Sequence, residues 1–393
     1  MRRTWLLPAL ALAAGVLTTP TAQATGGHTV RFATFNASLN RGTAGQLVTD
    51  LSTPDNAQAR KVAEVIQRNR PDVLLINEFD YAPQAVDLFR RNYLEHGQNG
   101  ARPVDYPYAF IAPSNTGVPT GFDLDRDGST TTGNDAHGFG LFEGQYGLLV
   151  LSRYPIDTRG ARTFQHFLWK DMPNAMLPDD PATAAPKDWY SPEILDVLRL
   201  SSKSHWDLPV RIGRDTVHFL VSHPTPPTFD GAEDRNGTRN NDEIRFWADY
   251  TTPARGRYIY DDKGRRGGLS PSADFVIAGD NNSDPLDGDS VPGAIDRLLH
   301  APRVVETHPG SQGGVLAART QGGANATHRG NPYFDTADFA DTAPGNLRVD
   351  YVLPSRGLWP LRGAVYWPTD ALARLNDASD HHLVWEDVLV SRR

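Results

Sequence analysis

The chain has 393 residues, carries 47 acidic against 39 basic side chains for a net charge of −8, and contains no cysteine. Disulfides, thiolate metal sites and cysteine nucleophiles are therefore excluded, and any metal must sit on oxygen or imidazole ligands. The acidic balance also argues against tight nonspecific capture of nucleic acid or anionic membrane, which needs a basic surface, although it leaves room for a local basic cleft.

Residues 1–24 read as a secretory signal peptide. Met1-Arg2-Arg3 is followed by the apolar run Trp5 to Leu17 and by Ala22-Gln23-Ala24, the charged, apolar, small-residue order of such signals, with cleavage expected after Ala24. The run is shorter than the ~20 apolar residues that span a bilayer, so no membrane span is expected. Arg2-Arg3 is compatible with twin-arginine export as well as the general route. Cleavage removes two arginines and no acid, taking the net charge from −8 to −10. Residues 25–393 show no internal repeat and no Ser/Gly linker; one domain is expected, monomeric and without a stable protein partner, with loop insertions at about 113–145 and 228–245.

Val30 to Asn36 alternates polar and apolar residues and predicts a first strand ending at Asn36. Residues 55–69 place Ala59, Val62, Ala63 and Ile66 at helical spacing, and Arg70-Pro71 stops that helix. Asp72 to Glu78 is a short apolar strand; Asn77 reads as a loop residue, and the Glu78 carboxylate requires a cation or water. In the 113–145 insertion, Asp123, Asp125 and Asp127 followed by Gly128 have the spacing of a calcium loop, a candidate structural Ca²⁺ site. Position 12 of that loop is Asn134 rather than Glu, which argues against a regulatory EF-hand.

Gln145 to Leu151 predicts a buried strand, Phe164 to Trp169 is the one candidate for an exposed aromatic hairpin, and residues 170–192 read as surface loop. Thr216 to Ser222 is a strand that delivers His223 into Pro224-Thr225-Pro226-Pro227, where regular structure cannot continue. Residues 230–245 are dense in charges and amides and lead into a helix carrying Phe246 and Trp247; Arg235 and Arg239 there read either as solvated or as bidentate phosphate contacts. Ala273 to Gly279 ends in Asp280-Asn281-Asn282. Leu347 to Leu353 is a strand with Asp350 inside it, an acid that burial obliges to find a partner, most simply a histidine. Ser379-Asp380-His381-His382 then precedes the last strand.

In this order, Asn36, Glu78, His223, Asp280, Asn282, Asp350, Asp380 and His381, each at or near the end of a strand-like run, resemble the pattern of the metal-dependent endonuclease/exonuclease/phosphatase superfamily over about residues 30–390. The chain is most similar to the group containing pancreatic deoxyribonuclease and bacterial sphingomyelinases. The resemblance implies a four-layer α/β/β/α sandwich of two mixed sheets with the active site along one edge. It makes Asn36, Glu78 and Asp380 ligands of Mg²⁺, Mn²⁺ or Ca²⁺, pairs Asp280 with Asn282 for positioning phosphate and nucleophile, and has Asp350 orient His381, while His223 is the second proton carrier. Tyr146 is an expected substrate contact, joined by Arg41, Arg235 and Arg239. Ser38 stands where some relatives carry a further acid, and Asn281 where an apolar residue is usual. The activity implied is hydrolysis of phosphodiesters, with extracellular DNA or RNA the default substrate; the alternatives are a phosphomonoesterase acting on inositol phosphates or nucleotides, a phospholipid diesterase, and a degenerate binding module.

Overall fold

The computed structural model describes Met1 and residues 27–390, so the expected signal peptide, Met1 apart, lies outside the described residues. Thirteen strands occur among the described residues: β1 (His28–Leu39), β2 (Val73–Phe79), β3 (Tyr108–Phe110), β4 (Leu148–Ser152), β5 (Arg162–Thr163), β6 (His205–Ile212), β7 (Asp215–Ser222), β8 (Asp274–Asp280), β9 (Ala337–Asp338), β10 (Asn346–Leu347), β11 (Asp350–Pro354), β12 (Trp359–Val365) and β13 (Val384–Val390). They form a six-stranded sheet in the order β12-β13-β1-β2-β4-β3, a five-stranded sheet in the order β11-β8-β7-β6-β5, and the small pair β10-β9. Both large sheets are mixed: β1 runs parallel to β2 and β7 parallel to β8, and their other strand pairings are antiparallel.

The two sheets face one another across a shared apolar layer. Val30, Phe32, Leu75, Val150 and Val388 from the first sheet pack with Leu208, Phe219, Val221, Val276 and Val352 from the second, all essentially without exposure. Each such side chain contributes roughly 1.5–3 kcal/mol on burial. The central strands are apolar on both faces because each outer face is covered too. The helix Ala57–Asn69 lays Ala59, Val62, Ala63 and Ile66 on Phe35, Leu74, Ile76 and Leu149. On the opposite side Ile244, Phe246 and Trp247 of the helix Arg235–Tyr250 cover Leu220, Phe275, Ile277 and Leu353. The result is a four-layer α/β/β/α sandwich.

Local chemistry explains the ends. The Asn56 side chain accepts from Ala59 N at 2.9 Å and caps the first helix. Arg70, in the left-handed region at φ 49°, closes it before Pro71.

Several elements depart from the expectations. The helix Arg235–Tyr250 begins well before Phe246, inside the stretch expected to be loop. Its early turns bury Arg239, Asn240, Asn241, Asp242 and Glu243, each hydrogen-bonded, so the face toward the protein is polar and carries no apolar periodicity. Asn77 is a strand residue, not a loop residue: Thr34 Oγ1 donates to its Oδ1 at 3.0 Å and its Nδ2 donates to Ser222 O at 3.3 Å, linking the two sheets. Phe164, Phe167 and Trp169 are buried under the helix Arg235–Tyr250 and do not form an exposed hairpin.

Candidate active site

Four strand ends meet at one edge of the sandwich. β8 lies tight on β7, since a Cβ at Gly279 would run into Ser222 O. Asp280, the last residue of β8, consequently sits beside His223, the first residue after β7. Across β8 the antiparallel register pairs Asp280 with Asp350, the first residue of β11.

The Asp280 carboxylate is the hub. Its Oδ2 accepts from Asn36 Nδ2 at 3.1 Å and lies 3.3 Å from His223 Nε2 and 3.6 Å from His381 Nε2, while Oδ1 accepts from the Asn282 amide at 2.8 Å. Asn282, at φ 50°, also donates from Nδ2 to Pro224 O at 3.1 Å, which ties the end of β8 to the loop carrying His223. On the other side of His381, Nδ1 is 2.9 Å from Asp350 Oδ2, and the same oxygen accepts from Thr336 Oγ1 at 2.9 Å. Asp280, Asp350, His223 and His381 are all at most 5% exposed.

Charge follows from that packing. Burial opposes ionisation of Asp280, yet the positive charge of His381 and His223 and hydrogen bonds from His223 and Asn36 hold it below the usual carboxylate range. Burial pushes Asp350 up to about 6, with Asp280 adding to the rise and His381 opposing it. Burial would strip the proton from His381, but Asp350 and Asp280 outweigh it and raise its affinity for a proton well above the ordinary value. The site is therefore built to hold a proton on an imidazole between two carboxylates.

The remaining expected residues divide into two groups. Glu78, at φ 61°, is half-buried at the end of β2, and among the described residues its carboxylate has no hydrogen-bond or ion-pair partner. Asp380 is exposed at the mouth, its Oδ1 within 3.3 Å of the hydroxyls of Ser38 and Ser379, beside an open groove of about 730 Å³ lined in part by Gln58, Asp338 and Arg374. Tyr146 is half-buried, its amide donating to Asp80 Oδ1 at 3.1 Å; burial and the charges of Glu78 and Asp80 push its phenol up.

The arginines are placed differently. Arg41 turns its guanidinium to Asp50 Oδ2 at 2.7 Å and Asn40 O at 2.8 Å, and Arg235 pairs with Glu233. Arg239 is buried, donating to Leu200 O and Arg199 O at 2.8 Å and to His137 O, so it holds loops together and offers no face to a phosphate.

An unpartnered Glu78 carboxylate, the buried Asp350 Oδ1 without a hydrogen-bond partner, and a donor set without sulfur all fit a hard divalent cation. Asp280, Asp350 and His381 offer ligand atoms that lie within 4.8 Å of one another. The set Asn36, Glu78 and Asp380 is looser, because Asn36 is engaged by Asp280 and Asp380 by Ser38. In the insertion, the matching cluster is Asp123, Asp125 and Asp135. The Asp127 carboxylate accepts from Ser129 N at 2.7 Å, while Asp123 accepts from the Asp127 and Gly128 amides at 3.2 and 3.0 Å.

Sequence reasoning passed over Glu243, Asp80, Thr336 and Lys203, all close to the site. Nothing in the sequence separates an acid buried on a helix from a solvated one, which is why Glu243 went unmarked.

Residues 33–381 match the model of the Endonuclease/Exonuclease/phosphatase family. The chain belongs to that family. Members of the endonuclease/exonuclease/phosphatase family are metal-dependent hydrolases of phosphoester bonds, and so is this protein. No curated protein matches the sequence. Solved structures similar in fold include an endonuclease/exonuclease/phosphatase from Beutenbergia cavernae, 16% identical with a TM-score of 0.48, covering 92% of this chain and 72% of that one. Sphingomyelinase C from Streptomyces griseocarneus is 16% identical with a TM-score of 0.46, covering 92% and 99%. TDP2 from Caenorhabditis elegans is 14% identical with a TM-score of 0.45, covering 94% and 77%.

Proposed function

We propose that the protein is a secreted phosphodiesterase whose default substrate is extracellular nucleic acid. The observation that carries this reading is the convergence of two imidazoles, His223 and His381, on the single carboxylate Asp280, with Asp350 behind only one of them. A diester needs both a base for water and an acid for the departing alkoxide, and two differently backed histidines supply the pair. His381, whose Nδ1–H is directed at Asp350, takes the proton of water at Nε2 as the water oxygen attacks phosphorus. The P–O ester bond breaks and the leaving oxygen takes a proton from His223. A divalent cation held by Asn36, Glu78 and Asp380 would neutralise the phosphate and draw the His381 proton affinity down toward the working range.

Two observations weigh against the alternatives. Of the two arginines that favour a small anionic monoester, Arg239 is buried in structural contacts and Arg235 pairs with Glu233, and the candidate aromatic run for a lipid surface is in the core. Secretion rests on the order of residues 1–24, and sequencing the N-terminus of protein recovered from the medium tests it. A structural Ca²⁺ on Asp123, Asp125 and Asp135 is tested by a calcium-dependent rise in melting temperature that Asp125→Asn abolishes.

The deciding experiment sets purified protein with Mg²⁺ or Ca²⁺, and after chelation, against plasmid DNA, RNA, bis(p-nitrophenyl) phosphate, p-nitrophenyl phosphate, inositol hexakisphosphate and sphingomyelin. Chelator-sensitive cleavage of nucleic acid and the synthetic diester is expected. Release from monoesters alone would overturn the diesterase reading.

A further inference from the structure

Lys203 lies two residues before β6. The β6–β7 register pairs His205 with Ser222, and carried two residues further it brings Lys203 level with Pro224, where the chain has just left His223. From the facing sheet, Asn77 reaches Ser222 O at 3.3 Å, and Glu78 follows directly. The lysine is thus placed at the same edge as the two groups that matter most, one from each sheet.

Its backbone is fixed on several sides. Asn115 N donates to Lys203 O at 2.8 Å. The neighbouring Ser202 donates to Glu243 Oε1 from N at 2.6 Å and from Oγ at 3.1 Å, and Thr225 N donates to Glu243 Oε2 at 2.6 Å. One fully buried carboxylate therefore clamps the loop before β6 to the loop that carries His223.

The side chain has no such partners. Lys203 is 6% exposed, and among the described residues its ammonium makes no hydrogen bond and no ion pair. Burial holds its proton affinity below the usual lysine value, a fall that Glu243, Glu78 and Asp280 only partly offset and to which Arg239 adds. None of the three acids closes on it: Glu243 is occupied by backbone donors, Asp280 by Asn36, Asn282 and the histidines, and Glu78 is left open. Lys203 Nζ is not among the fully buried unpartnered atoms, so a largely buried side chain ends in an ammonium with open donors that an incoming acceptor can reach.

We infer that Lys203 is a substrate-anchoring residue, its ammonium holding a non-bridging oxygen of the phosphate beside the divalent-cation ligands while the Glu243 clamp fixes its position. The inference rests on the phosphoesterase reading. A compact ammonium is the point charge that a tetrahedral phosphate oxygen accepts without demanding a planar fork, and one on a largely buried stem needs little reorganisation as charge develops on phosphorus.

Lys203→Met and Lys203→Arg test it, read by kcat and KM on bis(p-nitrophenyl) phosphate, by inhibition with inorganic phosphate, by calorimetric Mn²⁺ affinity and by melting temperature. Lys203→Met should lower kcat/KM about 100-fold and weaken phosphate inhibition about 10-fold. Mn²⁺ affinity should stay within about 3-fold and the melting temperature should hold or rise, because a charge without a protein partner has been removed from a largely buried position. Lys203→Arg should recover part of the lost phosphate binding. A Met variant with kcat/KM and phosphate inhibition within about 2-fold of the parent overturns the inference, and so does one that melts far below it, which would make Lys203 structural. Should the parent hydrolyse no phosphoester, the functional reading fails separately. Calorimetry of inorganic phosphate with Mn²⁺, parent against Lys203→Met, still decides the role of the lysine.

Discussion

Asp280 and Asp350 are cross-strand partners at the start of the β8–β11 ladder, so two buried carboxylates share one end of a sheet. His381 lies between them, with Nδ1 2.9 Å from Asp350 and Nε2 3.6 Å from Asp280. Like charges this close repel in a poorly solvated site, and the imidazole is what lets both stay. Asp350→Asn keeps the shape but no longer favours the Nδ1–H tautomer of His381. The variant is expected to fold, to melt within a few degrees of the parent, and to lose about 10²-fold or more in kcat. Unchanged turnover by the folded Asn variant would remove Asp350 from the chemistry. His381→Ala and Asp280→Ala should abolish turnover with the fold intact.

Arg239 separates a structural arginine from a phosphate contact. Its guanidinium meets three backbone carbonyls, from Leu200, Arg199 and His137, and none of these has another side-chain donor in the described contacts. Arg239→Ala leaves buried acceptors unpaired, at a cost of about 3 kcal/mol. Denaturant unfolding should show that loss, while KM on bis(p-nitrophenyl) phosphate stays near the parent value. A raised KM at unchanged stability would restore the substrate reading.

Glu78 is the ligand whose loss should be most visible in metal binding. It stands next to last in β2 in a left-handed backbone conformation, and its carboxylate has no partner among the described residues, an arrangement that costs about 1–3 kcal/mol unless something uses it. Glu78→Gln removes the charge and keeps the shape. Calorimetry with Mn²⁺ should show affinity reduced about 10-fold or more, and activity should return partly at high metal concentration. Equal Mn²⁺ affinity in parent and variant would place the cation elsewhere, on Asp280, Asp350 and His381.

The strands that build the site were legible because each is an apolar run closed by a polar residue. Val73 to Ile76 before Glu78 and Phe275 to Gly279 before Asp280 are buried on both faces, and a polar group at the end of such a run stands out. β6 was not legible. It carries His205, Asp207 and Pro209 among its apolar residues, and its polar groups find partners far away in sequence: Asp207 accepts from His218 at 2.6 Å and from Tyr250 at 2.5 Å. The same physics hid Lys203 and Glu243. Their meaning lies in contacts between residues some 40 positions apart, and composition cannot distinguish a buried, clamped charge from a solvated one.

Glu386 gives the fold a pH dependence independent of catalysis. It lies in β13 opposite Phe32 of β1 and Gly363 of β12, so its carboxyl is inside the sandwich, and a Cβ at Gly363 would collide with it. Burial pushes its pKa from 4.5 to about 7, a hydrogen bond with Thr307 opposes the rise, and Asp387 adds to it. The folded protein therefore holds the proton more tightly than the unfolded chain does. The stability linked to this group is fully present below about pH 4.5 and is lost as pH rises through about 7. Across that window the loss amounts to about 3 kcal/mol. Glu386→Gln has no proton to lose, so it should melt several degrees above the parent at pH 8 and lose that advantage on acidification toward pH 5, as calorimetric scans would register. Parallel melting curves for parent and variant across this range would show that Glu386 ionises in the folded protein as freely as in the unfolded chain.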